Sequence, residues 1–351
     1  MEERGMNEID GAGAEGNGAS ESHADVIAEN ERLLREFLAQ GDKDAPVIET
    51  DLPSEHRSGF VAVVGKPNVG KSTLMNVYLG EKVAIVTPKP QTTRENQLGI
   101  LTRPEAQIVF VDTPGIHEAR NKLGEYMVEV AAGTIPDADV VLFIVDVSEM
   151  PTRADEIIAG MIAEQARGPV ILALNKCDLI GESEAAEHSA AYQALLPNAD
   201  PILVSATRGD NRERLLEMLV ERLPYGPRYY PAEQLTQTQI RDNAAELIRE
   251  QVLLMYEQEV PHAVVVKVME FKERSPDLTY IAATIFVERD SQKRILIGSK
   301  GSALKELGRR ARAELEAMLG TRVYLDLWVK VLKNWRKDES ALRRLGYWQP
   351  Q

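Results

Sequence analysis

Gly65-Lys66-Pro67-Asn68-Val69-Gly70-Lys71-Ser72 has the spacing GxxxxGK[ST], follows an apolar run and opens a helical one. That context makes it a phosphate cradle. Its glycines let successive backbone N–H groups turn inward, and with the helix N-terminus, which includes Thr73, they surround a phosphate with donors. Lys71 is placed to neutralise β- and γ-phosphate oxygens, and the Ser72 hydroxyl to ligate Mg²⁺. Further along, Asp112-Thr-Pro-Gly115 supplies a carboxylate as a second metal-site residue, acting through water, and the Gly115 amide as a sensor of the γ-phosphate. Asn175-Lys-Cys-Asp178 supplies an aspartate that can accept hydrogen bonds from guanine N1–H and its 2-amino group, donors that adenine lacks at those points. Lys176 can lie along the base with its methylene stem, Asn175 can tie this loop to the cradle, and a backbone N–H of Ser205-Ala206 could reach guanine O6.

These four motifs must be carried to one place, and the pattern of the chain says how. Short β-branched runs at Phe60–Val64, Ile108–Val111, Val140–Val145, Val170–Leu174 and Ile202–Val204 alternate with helical patterns at Ser72–Leu79, Ala119–Ala132, Arg153–Arg167, Ser183–Leu196 and Asn211–Arg222. The alternation predicts an α/β fold with a mainly parallel sheet, helices on both faces, and functional residues at the carboxyl ends of the strands. A Pro- and Tyr-rich stretch then reads as a linker. Beyond it the order changes to helix (Thr238–Tyr256), strand (Ala263–Phe271), strand (Thr279–Val287), a helical region split by Gly298-Ser299-Lys300-Gly301, a helix over Ser302–Leu319, and a last strand (Arg322–Leu332). The expected division is an acidic tail over 1–57, one domain over 58–223, a linker over 224–237 and a second domain over 238–351.

Charge separates these parts. The chain has 351 residues and a formal net charge of −14, yet residues 1–57 hold 5 Lys and Arg against 15 Asp and Glu, and residues 231–351 hold 20 against 17. Arg289, Lys293, Arg294, Lys300, Lys305, Arg309, Arg310 and Arg312 form a local excess that can meet a phosphate backbone. Residues 1–22 lack the apolar side chains needed to offset ordering and are expected to be disordered, followed by an amphipathic helix over Asp25–Gln40. A single cysteine, Cys177, excludes an internal disulfide framework and fits a reducing compartment, so a cytoplasmic location is expected. The longest apolar run, Val140–Val145, is far too short to span a bilayer.

Gly65–Ser72, Asp112–Gly115, Asn175–Asp178 and Ser205-Ala206 resemble the motif boxes of translation-factor-type P-loop GTPases, and Gln91-Thr-Thr-Arg94 resembles their effector segment. The resemblance implies Thr93 as a further Mg²⁺ ligand, with Thr92 the alternative, and Lys71, Thr93 and Gly115 as the catalytic set. Ile116 stands where Ras-like proteins carry a water-orienting glutamine. GTPases with a hydrophobic residue there and an asparagine at the place of Asn68 often use K⁺ against the phosphates. Asn68 is therefore a candidate K⁺ ligand, with slow, K⁺-stimulated turnover expected; His117, beside Ile116, is read as a solvent-facing histidine of the switch loop.

The second half, with its GxxG turn between helices, resembles a type II KH domain. Gly298, Ser299, Lys300 and Gly301 are expected to clamp an RNA backbone, with Arg289, Lys293 and Lys305 as counter-charges. Val287-Glu-Arg289, Leu327-Trp-Val-Lys-Val331, Trp335 and Leu345-Gly-Tyr347 complete a resemblance to the Era family of GTPases over about residues 58–349. That family implies GTP and GDP binding, Mg²⁺, a KH domain on the 3′ region of small-subunit ribosomal RNA, a role in small-subunit assembly, and peripheral contact with the inner membrane; a monomer is expected. The rival readings are a GTPase whose C-terminal domain docks protein and a scaffold that does not hydrolyse nucleotide.

Overall fold

The computed structural model describes residues 52–89, 92–117, 119 and 121–347. The expected disordered segment 1–22 and the tail helix over Asp25–Gln40 lie outside them.

Strands β1 (Arg57–Val64), β2 (Gln97–Thr102), β3 (Ala106–Asp112), β4 (Val140–Asp146), β5 (Val170–Asn175) and β6 (Asp200–Leu203) form one sheet in the order β2-β3-β1-β4-β5-β6. All pairs are parallel except β2 with β3. Four helices join them, α1 (Lys71–Leu79), α2 (Lys122–Thr134), α3 (Arg153–Gln165) and α4 (Glu182–Leu195), and a fifth, α5 (Arg212–Arg222), follows β6. Both faces are covered, and the side-chain period of two sends neighbours to opposite cores. Val61, Val63, Leu142 and Ile144 join a core with Leu74 and Met75 of α1 and Leu215 and Leu219 of α5. Ala62, Val64, Val141, Phe143 and Val145 join another with Ala131 of α2, Ile158 and Ile162 of α3 and Tyr192 of α4. Every residue of β4 is buried, each large side chain contributing about 1.5–3 kcal/mol.

Strand β2 is an addition to the five strands expected. Its sequence, Gln97-Leu-Gly-Ile-Leu-Thr102, is interrupted by Gly99, which normally weakens a strand reading. Here a Cβ at Gly99 would lie 2.7 Å from Leu79 Cδ1 and 2.9 Å from Met75 Sδ, so the glycine is what lets α1 pack on the edge of the sheet.

The second layer contains α6 (Ile240–Met255), α7 (Glu259–His262), β7 (Val265–Ser275), β8 (Leu278–Val287), α8 (Asp290–Ile297), α9 (Ser302–Leu319), β9 (Arg322–Val331) and α10 (Glu339–Arg344). Strands pair in the order β7-β8-β9, antiparallel then parallel. Ile281, Ala283, Ile285 and Val287 turn to one face and pack with Ile248, Leu296, Leu307 and Leu315 of the helices. On the other face, Val265 and Phe286 meet Trp335, Leu342, Leu345 and Tyr347, which also pack against Leu123 and Met127 of α2. Trp335 is fully buried and donates its indole N–H to the Ala263 carbonyl at 2.9 Å.

The stretch read as a linker is a strap bound along the first sheet. Tyr229 and Tyr230 donate backbone N–H groups to Gln107 Oε1 at 2.7 and 3.0 Å, Ile100 N–H donates to Leu235 O at 2.8 Å, and the Tyr229 ring stacks on Phe60 at 5.5 Å.

Candidate functional site

The cradle turn joins β1 to α1, and its tightness follows from its glycines. Gly70 has φ 104°, and a Cβ there would lie 2.3 Å from Asn175 Nδ2. Asn175, at the end of β5, explains the closeness: its Nδ2 donates to Val69 O at 2.7 Å, while its Oδ1 accepts from Ala206 N at 2.9 Å. One side chain thus fastens the cradle, the Asn175–Asp178 loop and the Ser205-Ala206 turn together. Asp178 sits in a single 3₁₀ turn, Cys177–Leu179, directly after that anchor.

Lys71 is buried and donates to the carbonyls of Gly65 and Lys66 at 3.1 and 2.9 Å. Burial lowers its pKa from 10.5 to about 8, with the Asp112 carboxylate working the other way. Lys66 turns its side chain outward, to Asp155 at 2.7 Å and Thr152 Oγ1 at 3.2 Å, so only its backbone faces the cradle. Asp112 ends β3 and is fully buried; burial raises its pKa, opposed by Lys71, Ser72 and Thr93. The Ser72 hydroxyl donates to Asp112 Oδ2 at 2.5 Å, Thr93 Oγ1 donates to the same oxygen at 3.3 Å, and the two hydroxyls are 3.2 Å apart. Asp112 Oδ1 is buried without a protein hydrogen-bond partner. Thr92 also lines the cavity, but its hydroxyl is engaged away from this group: it donates to Lys89 O at 2.6 Å and lies 2.9 Å from Thr87 Oγ1. The geometry therefore groups Thr93, not Thr92, with Ser72 and Asp112. Three converging oxygen groups are a donor set suited to a small hard cation.

Pro67, Asn68, Gly70, Lys71, Ser72, Thr73, Thr93, Gly115 and Lys176 line one cavity of about 440 Å³. Gly115 is pressed against the cradle, since a Cβ there would lie 2.6 Å from the Pro67 nitrogen. Asn68 has φ 65° and donates its Nδ2 to Pro88 O at 3.0 Å, which fixes the amide at the cavity mouth. The Lys176 ammonium is held by Asp146, the last residue of β4, at 2.5 Å, which leaves its stem along the cavity wall.

Two expectations, on the Ser205-Ala206 amides and on His117, need correcting, and the place of Ile116 is a further finding. The amides assigned to guanine O6 are engaged within the protein: Ser205 N donates to Asp210 O at 3.1 Å and Ala206 N to Asn175. Ile116 does not face the cavity, because its side chain is buried in the core with Ala62 and Val64 while its N–H donates to Gly65 O at 3.2 Å. His117 is half-buried, with Nδ1 2.9 Å from Gly115 O, not simply solvent-facing.

In the second layer, Gly298–Gly301 forms the turn between α8 and α9, with exposed Lys300 held at φ 48°. A groove of about 780 Å³ runs from this turn between α9 and β9. Its walls include Leu304, Leu325 and Leu327, and its rim Gly301, Lys305, Arg309 and Arg312. Arg289 and Lys293, expected at the site, belong to the start of α8 and are not among the lining residues. Arg309 and Arg312 were counted in the basic excess but not named as site residues, and the apolar residues of β9 were not named; the i, i+4, i+7 spacing of Lys305, Arg309 and Arg312 puts the three on one helix face. Glu306 sits among these cations, held at a pKa of about 2 by hydrogen bonds from Arg309 and Arg310.

Sequence reasoning also missed how the effector loop meets the second layer. Ile85 packs into the core of α6 and the second sheet. Lys82 pairs with Glu250 at 2.5 Å and Glu314 at 3.0 Å, and Val86 N donates to Glu250 Oε1 at 3.1 Å. Arg249, fully buried, donates to the Thr92 carbonyl and to Glu246, and Arg94 donates to Val264 O at 2.7 Å. Burial opposes the charge on Arg249, but Glu246 holds its pKa above the ordinary value. The loop that presents Thr93 to Ser72 and Asp112 is thus anchored on α6.

With this geometry in hand, comparison with known proteins is specific. A family model described as a 50S ribosome-binding GTPase matches residues 60–176, and a KH-domain model matches residues 259–336. GTPase Era of Halothermothrix orenii is 48% identical over 293 residues, covering 83% of this chain and 99% of that protein. A crystal structure of Era in complex with MgGDPNP and nucleotides 1506–1542 of 16S ribosomal RNA aligns with TM-score 0.80 at 41% identity, over 84% of this chain and 100% of that one. A tyrosine-to-alanine variant of Aquifex aeolicus Era bound to GDP and AlF₄⁻ aligns with TM-score 0.79 at 40% identity, again over 84% and 100%. The motif boxes, the KH layer and the extent of these matches agree, and the chain belongs to the Era family of GTPases.

Proposed function

We propose that this GTPase couples its nucleotide state to RNA binding: GTP is held in the cradle, and the KH groove takes a single-stranded segment near the 3′ end of small-subunit ribosomal RNA during assembly of that subunit. The observation that carries the reading is the effector loop, which places Thr93 beside Ser72 and Asp112 and whose Thr92 carbonyl is bound by Arg249 of α6. A loop with one end at the γ-phosphate position and the other on the RNA-binding layer is a two-state element that both ligands can bias. The relatives solved with MgGDPNP and ribosomal RNA support the ligand classes.

Ser72, Thr93 and Asp112 fit Mg²⁺, since all their donors are oxygens and Asp112 Oδ1 has no protein partner. The ion, when bound, supplies charge neutralisation at the phosphate oxygens. Lys71 brings a second positive charge to the same oxygens, the Gly115 amide accompanies the γ-phosphate, and Asp178 selects guanine. Because Ile116 is withdrawn into the core, no side chain at that position orients water. Asn68, its amide fixed by Pro88, is the K⁺ ligand in this reading; equal turnover in Na⁺ and K⁺ would remove that part. A cytoplasmic, monomeric protein with peripheral membrane contact completes the proposal; among the described residues no helix is long and apolar enough to cross a membrane.

Crosslinking followed by sequencing of bound RNA, in the GTP and GDP states, tests the reading. Reads concentrated at the small-subunit 3′ end, changing in yield with nucleotide and lost on Gly301→Asp, are expected. Uniform reads, or reads indifferent to Gly301→Asp, would favour a C-terminal domain that docks protein.

A further inference from the structure

Lys176 stands in the left-handed region at φ 66°, a conformation uncommon for a long side chain and kept only where surrounding contacts enforce it. The enforcing contact lies on the neighbouring strand. In the parallel register Asp146, the last residue of β4, is beside Asn175, the last residue of β5. The chain therefore leaves β5 next to the Asp146 carboxylate, and the Lys176 ammonium donates to Asp146 Oδ2 at 2.5 Å.

That carboxylate is itself oriented. Its Oδ1 accepts from the Ser148 N–H at 3.1 Å and from the Ser148 hydroxyl at 2.6 Å, which turns Oδ2 toward Lys176. The backbone around it is fixed by neighbours. The Tyr192 hydroxyl of α4 donates to Asp146 O at 3.2 Å, His188 Nδ1 of the same helix lies 2.7 Å from Val147 O, and both side chains are buried. Val147 N–H donates to Asn175 O at 2.9 Å. Ion pairs on an open surface contribute little, and Arg153 with Glu156, 81% and 47% exposed, is one of those. Lys176 and Asp146 are 31% and 12% exposed.

The pairing decides what Lys176 brings to the nucleotide cavity, which it lines and Asp146 does not. With the ammonium held at Asp146, its charge is offset and its methylene stem is a fixed apolar shelf. Asp178 reads the edge of guanine, whereas a shelf acts on its face. We propose that Asp146 is a positioning residue for the guanine base, acting through Lys176 to order that shelf before nucleotide arrives. The proposal rests on the reading that Lys176 lies along the base. Lysine is among the side chains with most rotamer freedom to lose, so ordering it beforehand should strengthen binding by about tenfold. The effect belongs to the base end of the cavity and is blind to the number of phosphates.

The test is calorimetry on the full chain with Mg²⁺ and three probes: GDP, a non-hydrolysable GTP analogue, and inorganic pyrophosphate, which fills the cradle but has no base. Asp146→Asn keeps the shape of the side chain and removes its charge. It is expected to weaken GDP and the GTP analogue alike, by about tenfold, and to leave pyrophosphate unchanged. Asp146→Glu, which keeps a carboxylate, should recover most of the loss. In a Lys176→Met background Asp146→Asn should have no further effect, because both act through one shelf. If Lys176→Met weakens GDP and Asp146→Asn does not, the proposal alone is overturned; if Lys176→Met also leaves GDP unchanged, the reading of Lys176 fails with it. Pyrophosphate weakened as much as GDP, or losses that add in the double variant, overturns the proposal by making Asp146 a structural residue only. Should Asp146→Asn not fold, Ser148→Ala frees the same carboxylate: a loss of GDP affinity by a smaller factor, with pyrophosphate spared, is expected, and equal effects on the two overturn the proposal.

Discussion

Replacing Arg249 with methionine keeps the length and much of the packing of a fully buried side chain while removing its bond to the Thr92 carbonyl. A hydrogen bond from a charged donor contributes about 1.5–3 kcal/mol. Two features place this case at the low end. Glu246 is 26% exposed and can turn to water when its partner leaves. Arg249 Nη1 is buried without a partner, so methionine also relieves a desolvation cost. A loss of about 1.5 kcal/mol corresponds to roughly tenfold in an equilibrium constant, and that loss falls on the linkage between effector loop and α6. The assay is RNA affinity measured twice, with a non-hydrolysable GTP analogue and with GDP. The ratio of the two affinities should shrink by about tenfold, or to unity if it starts below that. An unchanged ratio in a folded variant would refute the coupling through Arg249.

Three further outcomes follow from single observations. Lys71 is held at about 8 by burial, so phosphate binding, which restores its charge, should take up a proton above that pH and none near neutrality. GDP affinity should then fall by up to about tenfold per pH unit above 8, and calorimetry in buffers of different ionisation enthalpy counts the protons; no uptake near pH 9 contradicts the assignment. Glu306→Gln frees Arg309 and Arg310 from an exposed ion-pair cluster, and RNA affinity should rise about two- to fivefold, with a steeper salt dependence in a binding titration. Gly115→Ala forces a Cβ to within 2.6 Å of the Pro67 backbone, and should weaken GTP-analogue binding by about tenfold, as overpacking of about 1–3 kcal/mol implies, with GDP less affected.

The site was legible where residue type alone determines chemistry. Gly70, Lys71, Ser72 and Asp112 are residue types that few others could replace in a phosphate cradle, and strand ends bring them and Asn175 together as expected of a parallel sheet of this order. What stayed hidden depends on contacts between distant parts. Arg249 and Glu250 stand in the middle of a helix, where a charged pair reads as a solvated face; they are buried because α6 is covered on one side by its own sheet and on another by the effector loop. Strand β2 was hidden by a glycine whose reason is the approach of α1. The backbone amides of Ser205 and Ala206 were assigned outward because a small-residue turn offers donors, yet a turn also has its own carbonyls and side chains to satisfy. In the KH layer Arg289 and Lys293 at the start of α8 were expected beside the turn together with Lys305, whereas the groove runs along α9 and β9 and takes only Lys305 of the three.

The coupling is tested most directly from the nucleotide side. Affinity for a non-hydrolysable GTP analogue and for GDP should be measured with and without saturating 3′-end RNA. Thermodynamic linkage requires RNA to shift the GTP-to-GDP preference by the same factor by which nucleotide shifts RNA affinity, and Arg249→Met should reduce both factors together. RNA that leaves the nucleotide preference unchanged would show that cradle and groove, though joined by one loop, act independently.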